Sequence, residues 1–351
     1  MVVKNNVLKC FFFLFLYEIF NSIFQKQYQK RVKYPEYIYS NYYIKKKAME
    51  EENASLLEKK SPLTNLFTSS NIKDETIAII GGTGKTGKWC VKGCIQRGAK
   101  VKVLCRNPDK LKRIYATLWK AGENKMLTYD KVVTSGQLKI IKGNLPIGKK
   151  GEKVDGKNYT IAASDKQMDS LKQLVNGTTY VMSFLGMDPK NHAPICRPGI
   201  EAIMKAVQKS EGKQKPKIMI MSSIVLLDSY AQGKAAWGCC GCIGSFMRWK
   251  FLRLVFDDME AAEQYAIENR STMGLDVCLL RATVLGDKSN YYLDYTTTEP
   301  KYYIVKSDEL NRVKMNIDRQ HVVQCFLDAI SDNKQTNNNN FSNCEWSLFD
   351  L

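Results

Sequence analysis

The stretch IAIIGGTGKTGKW, residues 77–89, constrains the fold more than any other part of the chain. Its glycines suit two ways of gripping phosphate. A nucleoside-triphosphate loop needs Gly, four spacers and then Gly-Lys-Ser/Thr, because the lysine reaches the terminal phosphates and the hydroxyl ligates magnesium. If Gly84-Lys85-Thr86 forms that ending, the leading glycine falls on Ile79; if Gly87-Lys88 forms it, the hydroxyl position falls on Trp89. Neither register works. The pattern G-x-G-x-x-G is met by Gly82, Gly84 and Gly87, with Gly81 directly before them. An apolar run, Thr76 to Ile80, precedes these glycines and reads as a buried strand. KWCVKGCIQRG follows and reads as a helix stopped by Gly98. AKVKVLCR then reads as a second strand, so the glycines sit at a strand–turn–helix junction, the setting in which this pattern binds a dinucleotide.

The same alternation continues along the chain. TIAII, KVKVLC, LKIIKGN, TTYVMSFLG, KIMIMSSI and LDVCLLRA are short apolar runs suited to parallel strands covered on both faces. Amphipathic stretches such as GIEAIMKAVQKS and DDMEAAEQYAIENR separate them as helices. Strand, helix, strand repeated in this way predicts an α/β fold: a Rossmann-type doubly wound parallel sheet with helices on both faces. The predicted organisation is a leader over 1–48, a polar linker over 49–73, the dinucleotide-binding domain over 74–331 and a low-complexity tail over 332–351, where NKQTNNNNF reads as disordered.

Charge and cysteines narrow the function classes. The chain carries 53 Lys and Arg against 35 Asp and Glu, a net +18, but nine basic and two acidic residues lie within 1–48. The remaining excess is spread out and matches no nucleic-acid-binding module, so no nucleic acid partner is expected. Eleven cysteines without a paired spacing argue against a secreted disulfide framework and for reduced, buried thiols. Cys239 and Cys242 form one C-x-x-C beside Cys240, without a second pair, and His192 and His321 lie in unrelated contexts, so no metal site is expected. The cysteine cluster reads as a cysteine-rich loop, with acylation and redox sensitivity as alternatives.

Two readings of the leader stay open. CFFFLFLYEIF is too short, and too interrupted by Glu18, for a transmembrane span, yet has the length of a signal-peptide core. With the basic, tyrosine-rich stretch after it, it resembles a bipartite presequence for a plastid-like organelle. Alternatively, Lys, Asn, Phe, Tyr and Ile make up 29 of the first 48 residues, as translated AT-rich DNA would. Translation would then start at Met49 and give a cytoplasmic protein.

The stretch IAIIGGTGKTGKWCVKGCIQRGAKVKVLCRNPDKL resembles the opening of the atypical short-chain dehydrogenase/reductases, the group of NmrA-like proteins and flavin reductase (biliverdin reductase B). GN after the third strand, SFLG after the fourth, MSSIVLLD after the fifth, DDMEAAEQY and CLLRATVLGD agree, so the resemblance spans 74–331. It implies that Gly81, Gly82, Thr83, Gly84, Lys85, Thr86 and Gly87 hold the pyrophosphate, that Asn144 lies against the adenine, and that Ser183, Leu185, Gly186 and Ser222 border the nicotinamide. At the end of the second strand, where an acid would bind the ribose of NAD, stands Arg106, whose planar fork suits the 2′-phosphate of NADP. The expected cofactor is therefore NADP, as NADPH.

The resemblance places an active-site serine at Ser223. The histidine that such members carry after the sixth strand is replaced here by Val284. Tyr230 and Lys234 have the Tyr-x-x-x-Lys spacing of ordinary short-chain dehydrogenases and form the alternative catalytic pair. Residues 236–256, AWGCCGCIGSFMRWKFLRLVF, mix large apolar side chains with Arg248, Lys250 and Arg253. They read as a lid over an apolar pocket, or as a segment touching a membrane surface. The expected activity is NADPH-dependent hydride transfer to a flat apolar acceptor such as a flavin, quinone or tetrapyrrole; the alternative is a non-catalytic NADP(H)-binding scaffold or redox sensor.

Overall fold

The computed structural model describes residues 72–120, 128–154, 159–187, 192–212, 214–223, 252–287, 295, 302–306, 316–336 and 345–350. All lie in one compact unit, Leu63–Leu351. The strands are β1 (Thr76–Ile80), β2 (Lys100–Cys105), β3 (Leu138–Lys142), β4 (Tyr180–Ser183), β5 (Lys217–Ser223), β6 (Val277–Ala282), β7 (Val284–Gly286), β8 (Tyr302–Lys306), β9 (Asn316–Asp318) and β10 (Glu345–Asp350). The helices are α1 (Gly87–Gln96), α2 (Pro108–Lys120), α3 (Tyr129–Thr134), α4 (Asp165–Val175), α5 (Cys196–Gln208), α6 (Arg253–Arg270) and α7 (Arg319–Thr336).

Eight strands form one sheet in the order β3-β2-β1-β4-β5-β6-β10-β8. Each pair from β3 to β10 is parallel, and β8 closes the sheet antiparallel to β10. The order reverses between β1 and β4, the switch point of a doubly wound sheet, so the fold is of the Rossmann type. β7 and β9 make a separate parallel pair.

The uninterrupted apolar runs follow from this burial on two sides. In β1, Ile77 and Ile79 pack on one face with Trp89 and Val91 of α1, Tyr115 of α2 and Phe326 of α7. Ala78 and Ile80 pack on the other with Leu171 of α4, Ile200 of α5 and Ala262 of α6. A half-solvated strand would need polar residues at every second position, whereas Ile77 to Ile80 of β1 are apolar and buried throughout.

Each of the six predicted strands matches a strand of the structure. α1 ends as expected: Gly98 takes φ +85°, its amide reaches Ile95, and the Ala99 amide reaches Cys94, a left-handed stop that favours glycine. Gly93, inside α1, has another purpose. A Cβ there would lie 2.6 Å from Leu327 Cδ1, so the missing side chain lets α7 approach.

The C-terminal boundary is corrected by the structure. α7 runs past 331 to Thr336, and β10 inserts between β6 and β8, so the folded domain reclaims residues read as tail. Polar Asn-rich composition masked EWSLFD, whose alternation is too short to stand out without its partners. Buried polar contacts fasten this end. Arg97, at the end of α1, places NH2 2.6 Å from the Asp328 carboxylate of α7, both side chains 2% exposed. Its Nε donates to the Tyr295 carbonyl at 2.7 Å.

Removing one member of a buried ion pair strands the other charge. Asp328→Ala is expected to lower unfolding stability by about 3–5 kcal/mol. The double variant Arg97→Met/Asp328→Leu should recover much of that loss. Denaturant melts of the full chain check both, and equal losses for the single and double variants would contradict the assignment.

Candidate functional site

Parallel pairing puts the C-terminal ends of β1 to β6 at one edge of the sheet, and every predicted cofactor residue follows one of those ends. The Gly81–Thr86 turn follows β1, Arg106 follows β2, Asn144 lies two residues beyond β3, Ser183 to Gly186 end and follow β4, and Ser222 and Ser223 end β5. The ends of β1 and β4 are directly joined: Ile80 pairs with Ser183, and the Phe184 amide donates to the Ile80 carbonyl at 3.0 Å.

The glycine turn is built around one oxygen, the Gly81 carbonyl. It accepts from the Gly84 amide at 2.8 Å. A Cβ on Gly84 would stand 3.0 Å from it, and one on Gly87 only 2.3 Å. Gly81 itself adopts φ +81°, and a Cβ there would meet the Phe184 carbonyl oxygen at 2.6 Å. All four glycines of the turn, 81, 82, 84 and 87, are crowded, so the 82, 84, 87 pattern that marks the motif is joined by Gly81. Gly82 faces inward: a Cβ there would lie 2.8 Å from Val103 Cγ1, and its carbonyl accepts from the Tyr115 hydroxyl at 3.0 Å. Tyr115 braces the turn from α2, a contact that sequence alone hides because a lone tyrosine on an apolar helix face reads as core. Burial, then the neighbouring cysteine thiols, push its pKa well above the ordinary tyrosine value, so this hydroxyl stays a donor.

Thr86 is the N-cap residue of α1, buried, without a side-chain cap bond. The amides of Thr83, Lys85, Thr86 and Gly87 find no acceptor among the described residues. Open amides at a helix start, in a cradle emptied of side chains, fit an anionic phosphate. Thr83 is half-buried and Lys85 exposed. Arg106 is exposed and makes no ion pair among the described residues. Asn107 beside it caps α2, its Oδ1 accepting from the Lys110 amide at 3.0 Å. Asn144 is exposed, and the Gly143 amide before it donates to the Cys105 carbonyl at 3.2 Å, holding the β3 exit against that of β2.

A narrow cleft opens between the ends of β4 and β5 and the helices α5 and α6. Ser183, Leu185, Ser222, Cys196, Met259 and Glu263 are among its lining residues. Ile220, Met221 and Ser222 of β5 line the cleft, while Ser223 is half-buried at the strand's end. Gly186 is exposed at the rim. The Ser183 hydroxyl is buried and has no partner among the described residues, as is true of the Thr283 hydroxyl just after β6.

Sequence reading missed what holds this cleft open. Ile195, the N-cap residue of α5, supplies no cap; the Asp258 carboxylate of α6 does so across space. It accepts from the amides of Ile195 at 2.9 Å, Cys196 at 2.8 Å and Arg197 at 2.9 Å. Burial and the adjacent Asp258 push the Cys196 thiol well above its ordinary pKa, so it is an apolar wall and not a nucleophile. Burial likewise raises Cys90, packed against Cys94. The six described cysteines are all buried.

Tyr230 and Lys234 lie outside the described residues, as do Cys239, Cys240, Cys242 and residues 236–251 of the expected lid. Arg253 to Phe256, its last residues, form the opening turn of α6, where Arg253 pairs with Asp257 at 3.4 Å. Among the described residues, no group of three or more histidine, cysteine or acidic side chains is placed to hold a metal.

No family model matches the chain, and no curated protein matches its sequence. Solved structures are similar in fold. A wide-type short-chain dehydrogenase/reductase from Veillonella parvula, in complex with NADP, is 12% identical, with 79% of this chain and 94% of that one covered and a TM-score of 0.48. An oxidoreductase from Lactococcus lactis is 12% identical, with 79% and 91% covered and a TM-score of 0.48. A Rossmann-fold NAD(P)-binding family protein from Shigella flexneri is 15% identical, with 79% and 93% covered and a TM-score of 0.44.

Gly87→Ala would press a methyl group into the Gly81 carbonyl. The expected outcome is a loss of about 1–3 kcal/mol in stability, the range for overpacking, and loss of dinucleotide binding. Thermal melts with and without NADPH check this; an alanine variant that still gains stability from the nucleotide would contradict the geometry.

Proposed function

We propose that the chain is an NADPH-dependent oxidoreductase that passes hydride to a flat, apolar acceptor such as a flavin, quinone or tetrapyrrole. The observation that carries this reading is the side-chain-free cradle around the Gly81 carbonyl, at the switch point of the sheet, with the β4 and β5 serines at the adjoining strand ends. In this reading the Gly81–Gly87 turn holds the pyrophosphate and Arg106 faces the 2′-phosphate. Asn144 borders the adenine, and Ser183, Leu185, Gly186 and Ser222 border the nicotinamide. The nicotinamide supplies the hydride when bound; the protein's part is to orient it and keep water away. Ser223, at the open end of β5, would hold an acceptor oxygen while a proton completes the two-electron reduction.

The replacement of the family histidine by Val284 favours a second reading, an NADP(H)-binding scaffold or redox sensor without turnover. The lid or membrane-surface role of 236–256, and an organellar or cytoplasmic location, stand as proposals beside either reading.

Arg106→Ala should narrow the preference for NADPH over NADH by about 1–3 kcal/mol, the range for a hydrogen bond to a charged group, as read by titrating both nucleotides. Equal affinities in the unmodified protein would sink the NADP assignment. Ser223→Ala should lower turnover about tenfold, the equivalent of about 1.4 kcal/mol in the transition state. Tyr230→Phe should change it little. Steady-state NADPH oxidation over a panel of flavins, quinones and tetrapyrroles checks both. Tight NADPH binding with no acceptor accelerating its oxidation would replace the reductase reading with the scaffold reading.

A further inference from the structure

The glycine turn is held from two sides. On one, the Gly81 carbonyl gathers the Gly84 amide at 2.8 Å. On the other, the Gly82 carbonyl accepts from the Tyr115 hydroxyl of α2 at 3.0 Å. Tyr115 is 0% exposed and belongs to a buried stripe with Leu111 and Leu118, one face of α2 packed into the core. With its ring enclosed, the hydroxyl has a fixed position, and burial keeps it protonated and donating.

A peptide unit is planar, and a trans one sends its carbonyl and the following amide in opposite directions. The bond from Gly82 to Thr83 is trans. Drawing the Gly82 carbonyl inward therefore turns the Thr83 amide outward, to the side where Gly84 and Lys85 are exposed. That amide finds no acceptor among the described residues. Gly82 has no side chain with which to fix this peptide, and none would fit: a Cβ there would stand 2.8 Å from Val103 Cγ1 and 3.1 Å from the Tyr115 hydroxyl. The direction of an amide in the turn is thus set by a hydroxyl 33 positions away.

Resting on the dinucleotide reading above, we propose that Tyr115 is a positioning residue for the cofactor, aiming the Thr83 amide at the pyrophosphate through the Gly82 carbonyl. It touches no part of the nucleotide itself. Without the hydroxyl, the buried Gly82 carbonyl loses its donor, and the peptide gains by rotating toward another, which carries the Thr83 amide out of line. Arg106 is placed independently of this bond. Asn107 beside it caps α2, its Oδ1 accepting from the Lys110 amide at 3.0 Å, and this cap does not involve Tyr115. The hydroxyl therefore acts on ligands that carry a pyrophosphate and not on adenosine 2′-monophosphate, which lacks one.

The test titrates the full chain, unmodified and as Tyr115→Phe, with NADP+ and with adenosine 2′-monophosphate. This substitution keeps the buried ring and removes only the donor. NADP+ is expected to bind the variant about tenfold more weakly, the scale of one charge-assisted hydrogen bond, while adenosine 2′-monophosphate binds both alike. Leu111→Ala, one turn earlier on the same buried face, loosens α2 without touching the Gly82 carbonyl; it should lower the melting temperature and leave the ratio of the two affinities unchanged. Phosphorus NMR of bound NADP+ gives a direct readout: the pyrophosphate resonances should move in Tyr115→Phe and the 2′-phosphate resonance should not. Unchanged NADP+ affinity in Tyr115→Phe, or equal weakening of both ligands, overturns the proposal, as does a Leu111→Ala variant that narrows the ratio as much. If NADP+ does not bind the unmodified chain, the dinucleotide reading fails and this proposal with it; a chain that binds NADP+ but fails the comparisons loses the proposal alone.

Discussion

The crowding of backbone around the Gly81 carbonyl oxygen is the constraint on which the rest of the site depends. Gly84 donates to it, Gly87 passes within van der Waals reach, and Gly81 turns through φ +81° with no room for a side chain against Phe184. Because α1 starts at Gly87, the same crowding sets where the helix begins and how its open amides meet the sheet edge. A side chain at Gly87 would push the helix start off the turn, and one at Gly81 would collide with the Phe184 backbone at the β4 exit. The function proposed for the turn and the packing of the first βαβ unit are thus consequences of the same missing atoms.

Around this turn the polar residues are divided between two tasks. Some fasten helices to one another: Asp258 caps α5 from α6, and Arg97 ties α1 to Asp328 of α7. The first replaces something the local sequence lacks, since Ile195 has no side chain that can cap a helix. Others remain available at the sheet edge, where Arg106 is exposed and the Ser183 hydroxyl is buried without a partner among the described residues. A buried group left unmatched costs stability, and such groups concentrate where a ligand binds. Two such hydroxyls, Ser183 at the end of β4 and Thr283 just after β6, lie at the same sheet edge as the glycine turn.

How much was legible beforehand varies with how far apart the cooperating residues lie. The six parallel strands were readable because short, mostly apolar runs, four to seven residues long in the structure, have few alternatives when punctuated by glycines and amphipathic stretches. The glycine turn was readable because its whole logic fits within seven residues. β10 was not: EWSLFD lies beside Asn-rich sequence, and only pairing with β6 and β8 makes it a strand. Asp258, Tyr115 and Glu263 were not either. Each acts on a partner between 18 and 63 positions away in the chain, and nothing in its neighbourhood marks it.

What the sequence by itself determined is the periodicity of the elements, the class of the fold and the place of the glycine turn, because these follow from local sterics and short-range pattern. The tertiary structure alone decided what each glycine of the turn is crowded by, the Phe184 carbonyl at Gly81 and Val103 at Gly82, and which serine of the Ser222–Ser223 pair lines the cleft. It also decided that a carboxylate on α6 would stand in that cleft, since Glu263 becomes part of it only when Arg281 arrives on a neighbouring strand. These outcomes depend on the angle at which helices meet the sheet and on alternation counted from a strand's true end. Neither quantity exists until the chain has folded.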